Sequence, residues 1–251
     1  MDAPLWTTEV YFFIGLAFMV AGLIKGTVGL GFPTVILAML SLSLGVREAM
    51  ALMLLPCFFT NIWQAFSGGN MAAILRRIWP LLICAAITIW FTTSIVGTME
   101  TRLLSCLLGL VVCAYALAGL TSPRFISPGN HEYWMTPVIG TVNGMVTGLT
   151  GTFVVPGVLY LQSLKLTRDV LVQAMGILFL VSTTALGIGL SGHGLLNTGY
   201  LLISTLAVVP SFIGMTIGRR VRRAIPEKRF ARIFFCSLLL LGIYIVGNCF
   251  F

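Results

Sequence analysis

Apolar residues run in long stretches along this chain, near positions 10–44, 48–66, 79–98, 103–120, 134–164, 170–190, 195–218 and 230–251. Short polar or turn-forming segments divide them: Arg47-Glu48, Gly68-Gly69-Asn70, Glu100 to Arg102, Ser122 to Glu132, Arg168-Asp169, Ser191 to Gly194, and a basic stretch from Arg219 to Arg232. A helix that crosses a bilayer needs about 20 mainly apolar residues, and open strands cannot satisfy their backbone groups in lipid. The pattern therefore predicts an all-α integral membrane protein with about eight hydrophobic segments.

Two runs do not fit a single crossing. The first, 10–44, would be about 52 Å long as one helix, well beyond a hydrocarbon core of about 30 Å. Gly26, Gly29, Gly31 and Pro33 interrupt it. The fifth, 134–164, is interrupted in the corresponding place by Gly144, Gly148, Gly151 and Pro156. Segments 1 and 5 are thus expected to be broken or re-entrant.

The interruptions share a spacing. Gly22-x-x-x-Gly26-x-x-Gly29 matches Gly144-x-x-x-Gly148-x-x-Gly151 at an offset of 122, while Arg47-Glu48 matches Arg168-Asp169 and Gly97 matches Gly218 at 121. A common offset over separated features predicts an internal duplication. The expected units are a first transmembrane repeat over 1–121, an inter-repeat loop over 122–133 and a second repeat over 134–251.

Composition narrows the class. The 251 residues are 58% hydrophobic and 9% charged, with mean hydropathy +1.03, whereas a soluble domain carries about 25% charged residues. A soluble enzyme, a disordered tail and a secreted disulfide scaffold are excluded on that ground. The net charge of +8 is concentrated in Arg219, Arg220, Arg222, Arg223, Lys228, Arg229 and Arg232. Read as a loop between apolar runs, this cluster predicts a cytoplasmic side and contact with anionic lipid, not nucleic acid. Cys57, Cys84, Cys106, Cys113, Cys236 and Cys249 all lie in apolar runs without CxxC or a nearby His, and read as small buried hydrophobes. No basic stretch precedes the first apolar run, so Met1 to Glu9 does not read as a cleaved signal peptide.

Topology stays open between two arrangements. If all eight runs cross, the halves are parallel, with eleven Lys/Arg inside against three outside; if runs 1 and 5 are re-entrant, the halves are inverted, with twelve against two. Lys25, within the membrane, belongs to neither count. Both arrangements put the termini outside and the segment 219–232 inside.

Irregular backbone at membrane depth survives where protein or a wet cavity satisfies it, and broken helices in repeat-built transporters meet around the substrate. A helix amino terminus after such a break offers N–H groups and positive potential to an anion. The candidate binding residues are therefore Lys25, Gly26, Thr27, Gly29 and Gly31 in the first half, with Gly148, Thr150, Gly151 and Thr152 in the second. Helix packing through small residues is the competing reading of the glycines. Lys25 is the sharpest signal, because an intramembrane cation is costly without a partner; it either pairs with a translocated anion or snorkels to an interface. Thr147 stands at its aligned place in the second half.

Arg47, Asn61, Gln64, Asn143, Arg168 and Gln173 are candidates for the pathway, with Ser182, Thr183 and Thr184 as further polar residues inside the runs. Helix starts and interhelical hydrogen bonds are the simpler readings of them, residue by residue. Catalysis has no support: no acid lies within a segment, His131 and His193 fall between segments, and neither Gly-x-Ser-x-Gly nor His-Glu-x-x-His occurs. No catalytic residue, metal ligand or cofactor is expected.

Gly22-Leu-Ile-Lys-Gly-Thr-Val-Gly-Leu-Gly-Phe-Pro33, its degenerate copy Gly144 to Pro156, and Pro210-x-x-x-Gly-x-x-x-Gly-Arg219 together resemble the TauE/SafE sulfite-exporter family, also called the toluenesulfonate uptake permease family. The resemblance covers nearly the whole chain. It implies a multi-pass transporter of the bacterial cytoplasmic membrane that moves sulfite, sulfonates or related sulfur-containing anions. Family motifs carry over onto Gly26, Gly29, Gly31 and Pro33, and onto Gly148, Gly151 and Pro156. Lys25 and Thr152-Phe153 depart from the pattern, and with them the binding surface. The expected function is secondary transport by alternating access of two repeats around a central site. A passive anion channel and a non-transporting assembly factor are the alternatives. The expected partners are a small anion and the bilayer, with protons admitted as coupling ion and oligomerisation left open.

Overall fold

The computed structural model describes residues 8–121, 127–224 and 227–249, without the side chains of Thr198 and of 222–230. Its regular structure is helical throughout: α1 Thr8–Val28, α2 Phe32–Leu40, α3 Val46–Phe66, α4 Met71–Val96, α5 Thr101–Thr121, α6 Glu132–Thr150, α7 Gly157–Ser163, α8 Arg168–Gly192, α9 Thr198–Ala224 and α10 Glu227–Gly247, with a 3-10 turn at Gly129–His131 before α6. Among the described residues, α1, α3, α4, α5, α8 and the Gly199–Val221 part of α9 are long and apolar enough to cross a membrane, and Ala231–Gly247 is a shorter apolar helix. Helix α6 is not among the six; Glu132, Thr136, Thr141, Asn143 and Thr147 dilute its hydropathy.

Both unusual runs are broken, but more narrowly than expected. Gly29 and Gly31 adopt φ of 89° and 91° and end α1, a conformation open to glycine at little cost. Gly151, at φ 74°, ends α6. Gly26, Gly144 and Gly148 stay inside their helices. After each break the chain folds back: the Phe32 ring lies 6.3 Å from that of Phe18, and the Gly157 amide donates to Asn143 Oδ1 at 2.9 Å.

Glycine sets the helix pairs. A Cβ at Gly22, Gly26, Gly214 or Gly218 would fall on the backbone of the facing helix, so α1 and α9 lie in direct backbone contact and run parallel. Gly140 and Gly144 meet Leu81 and Ala85, and Gly148 meets Thr92, which makes α6 parallel to α4. Small residues permit this approach where lipid supplies no hydrophobic drive between helices. The other two pairs are antiparallel: Gly109 meets Val246 and Gly119 meets Phe235 across α5 and α10, while Gly176 meets Gln64 and Ala65 across α3 and α8.

These pairings gather charge at one end of the bundle. Arg76, Arg77, Arg168, Arg219 and Arg220 lie there, with Arg77 and Glu132 in an ion pair at 2.6 Å. The opposite end holds the start of α1, the end of α10, Arg47 and Arg102. The basic stretch expected to be a loop is helical through Ala224 and again from Glu227; Arg and Lys are good helix formers and favour a helix carboxyl end. Ile225 and Pro226 lie outside the described residues, as do 122–126 of the expected inter-repeat loop.

The cysteines depart from the expected set of small buried hydrophobes in two ways. Cys106 and Cys249 form a disulfide across 143 residues, with Cα atoms 5.9 Å apart. Antiparallel packing of α5 on α10 brings them together, which no local spacing reveals. The other four are free, and of them only Cys57 is buried: Cys84 and Cys113 are half-buried and Cys236 is exposed.

Candidate functional site

Helix α3 runs beside the first break, and its last two turns carry Thr60, Asn61, Trp63 and Gln64. Lys25, three residues before the end of α1, projects toward them and is only 6% exposed. It donates to Thr60 Oγ1 at 3.0 Å and to Asn61 Oδ1, and its ammonium lies 5.6 Å from the Phe32 ring centroid. An ammonium has three donors, so two neutral partners leave one without a protein acceptor. No carboxylate among the described residues pairs with it.

A cavity of about 250 Å³ opens beside Lys25, walled by Gly26 and Gly29 of α1, Thr60, Trp63 and Gln64 of α3, Ser67, Val172 of α8, and Met215 and Arg219 of α9. Arg219 stacks over Trp63, its guanidinium carbon 5.5 Å from the ring centroid. Two cations therefore face one cavity with no acid in its wall. Gln64 closes its inner side by donating from Nε2 to the carbonyls of Gly29 at 3.3 Å and Val172 at 3.0 Å. The first of these satisfies a carbonyl freed by the end of α1.

Only part of the expected site assembles here. Lys25, Gly26, Gly29 and Gln64 line the cavity, and Asn61 holds Lys25 from behind. Gly26 also serves the α1–α9 seam, so the packing and binding readings both apply to it. Thr27 turns away and donates to Leu23 O and Gly218 O. Gly31 packs on Phe234 and leaves the cavity wall; the amino terminus of α2 does not line it either. Gly148 belongs to the α4–α6 seam.

The second break is a separate, dry nest. Thr150 and Thr152 share a hydroxyl hydrogen bond of 2.8 Å, and Thr147 donates to Thr152 O at 3.0 Å. All three are at most 2% exposed, and Gly151 abuts Met50, Met53 and Leu37. Their hydroxyls are used locally, so Thr150, Gly151 and Thr152 do not join Lys25 in one site. Asn143 sits beside this break, bonded to Gly157.

The remaining pathway candidates separate by end. Arg47 donates to Val96 O at 2.9 Å and to Met99 O, which ties the start of α3 to the end of α4, far from the cavity. Arg168 begins α8 at the basic end. Gln173 donates to Ala65 O at 2.9 Å and accepts from the Asn70 amide at 3.0 Å, a clasp between α8 and α3 next to the cavity. Thr184 is exposed and bonds within its own turn.

Trp63, Thr60 and Met215 were not singled out by the sequence, and Arg219 was named only in the basic cluster and as the last residue of the Pro210 to Arg219 motif. The visible signal was its place directly after Gly214-x-x-x-Gly218, whose seam with α1 brings this turn of α9 to Lys25.

Residues 14–245 match the family model described as sulfite exporter TauE/SafE. The chain belongs to that family. It is thus a multi-pass membrane protein of a family of transporters, not of enzymes, and its family suggests export of sulfite or a related sulfur anion. Among the described residues, no group of three His, Cys, Asp or Glu is placed to hold a metal. No curated protein and no solved structure matches the chain.

Proposed function

We propose that this TauE/SafE protein is a secondary exporter of small sulfur oxyanions, sulfite or a sulfonate, that binds its substrate between Lys25 and Arg219. The observation that carries this is the pair of cations on one cavity, the first buried without a carboxylate partner among the described residues. A charge held in that state inside a membrane protein is stabilised by a mobile counter-ion. The third N–H of Lys25 and the guanidinium fork of Arg219 match an oxyanion's acceptors.

The two halves act as inverted repeats. Supporting this, each helix runs opposite to its counterpart: α1 and α6, α3 and α8, α4 and α9, α5 and α10. Asn61 and Thr183, 122 residues apart, meet where α3 crosses α8. With the basic end inside, twelve Lys/Arg face the cytoplasm against Arg47 and Arg102 outside, in keeping with the positive-inside rule. The Cys106–Cys249 disulfide then lies on the outer side, where an oxidising compartment maintains it. In this arrangement the cavity opens inward, and rocking of the halves exposes Lys25 to the other side. The bacterial cytoplasmic membrane is the proposed site of action.

Efflux of labelled sulfite from proteoliposomes tests the reading. Saturable flux that falls at least tenfold in Lys25→Met is the expected result. Flux that rises linearly with concentration indicates a channel, and unchanged transport in Lys25→Met removes Lys25 from the site.

A further inference from the structure

Lys25 does not reach its position alone. Its ammonium donates to Asn61 Oδ1, and the other end of that amide, Nδ2, donates to Thr183 Oγ1 of α8 at 3.2 Å. Thr183 spends its own hydrogen on Phe179 O at 2.7 Å, so its oxygen is left to accept. The order of the chain is forced. Turned over, the Asn61 amide would set its N–H groups against an ammonium that can only donate. Asn61 and Thr183 are 1% and 2% exposed, so water does not replace either bond. Helix α3, which carries Asn61, belongs to the first half of the chain, and α8 to the second.

We infer that Thr183 is a positioning residue for anion binding: through Asn61 it aims the Lys25 ammonium at the cavity, so that the second half of the chain orients the charge carried by the first. Thr183 does not line the cavity and touches no substrate. Its effect follows from geometry, because an amide held only by its bond to the ammonium can swing about its last torsions, and the ammonium bonded to its oxygen then shifts with it. A displacement of α8 along α3 breaks the same bond. Presentation of the charge is thereby tied to the relative placement of the two halves. This inference rests on the proposed reading of Lys25 as the anion's ligand.

The test uses the full chain in proteoliposomes with labelled sulfite. Thr183→Val keeps the side-chain shape and removes the acceptor together with the local bond to Phe179 O; it is expected to raise the half-saturation concentration at least fivefold while maximal flux stays within twofold. Thr183→Ser, which restores the oxygen, is expected to return the half-saturation concentration to within twofold of the parent. The neighbouring Thr184→Val is expected to leave both unchanged. Equal impairment by Thr183→Val and Thr183→Ser assigns Thr183 to packing and overturns the inference, as does a parental half-saturation in Thr183→Val.

A second readout does not depend on transport. The chain has three lysines, Lys25, Lys165 and Lys228, so the 15N signal of the Lys25 ammonium in nanodiscs is assigned by its loss in Lys25→Met. Thr183→Val is expected to displace that signal and Thr183→Ser to leave it in place; an unmoved signal in Thr183→Val overturns the inference. Failure of the parent protein to move sulfite, with the displacement present, refutes the transport reading alone.

Discussion

Lys25 and Arg219 differ in how they hold their charge. Lys25 is enclosed and bonded to neutral oxygens, so its removal deletes the one enclosed charge on the cavity among the described residues. Arg219 is exposed at the rim and stacked on Trp63. Arg219→Gln is accordingly expected to weaken sulfite binding less than Lys25→Met does, and to lose much of its effect at high salt, because exposed charges are screened. Half-saturation concentrations at low and high ionic strength measure both. Lys25 was legible from sequence, since a lone cation among apolar residues stands out. Arg219 stood among six other basic residues, marked in sequence only by its place after Gly218; its neighbours in space give it a role.

At the scale of helices, the glycines divide into those that turn the chain and those that let helices touch. Gly26→Ala places a Cβ on the Met215 carbonyl, which is backbone and cannot move aside. A loss of about 1–3 kcal/mol is expected, read as a lower melting temperature in detergent. Gly15→Ala on the same helix meets nothing within 4 Å and is expected to be neutral or slightly stabilising.

The α4–α6 pair carries a pH-sensitive element as well. The hydrogen bond from Arg77 holds the Glu132 carboxyl below its ordinary range. A depressed carboxyl contributes stability that is present above its unfolded value and lost as pH falls through the folded one. Both side chains are partly exposed, which limits the contribution to under about 1 kcal/mol. Glu132→Gln is thus expected to lower the melting temperature slightly at neutral pH, and the difference is expected to vanish in acid. Both breaks could be read in sequence from Gly and Pro; which glycine did the breaking could not, because sequence does not reveal what faces each Cα.

For the whole molecule, the prediction is orientation. A cysteine at the exposed position 102 is expected to react with a membrane-impermeant maleimide from outside intact cells. One at the exposed position 220 is expected to react only after permeabilisation. The opposite pattern reverses the inside-outside assignment, and reaction of both from one side refutes the placement of these positions at opposite ends.

The sequence by itself determined the solvent of this protein, the helical class and the locations of its two breaks. Those follow from local quantities: apolar length, charge scarcity, and glycine with proline at fixed places. Only tertiary structure decided which break carries the cavity, because that depends on which side chains other helices bring to it. Around Gly29, α3 and α9 supply polar and charged groups beside Lys25. Around Gly151, Met50, Met53 and Leu37 fill the space and the threonine hydroxyls bond to one another. Two similar stretches of sequence thus become one open, charged cavity and one filled, self-bonded nest, because burial and hydrogen-bond partners are properties of neighbours in space.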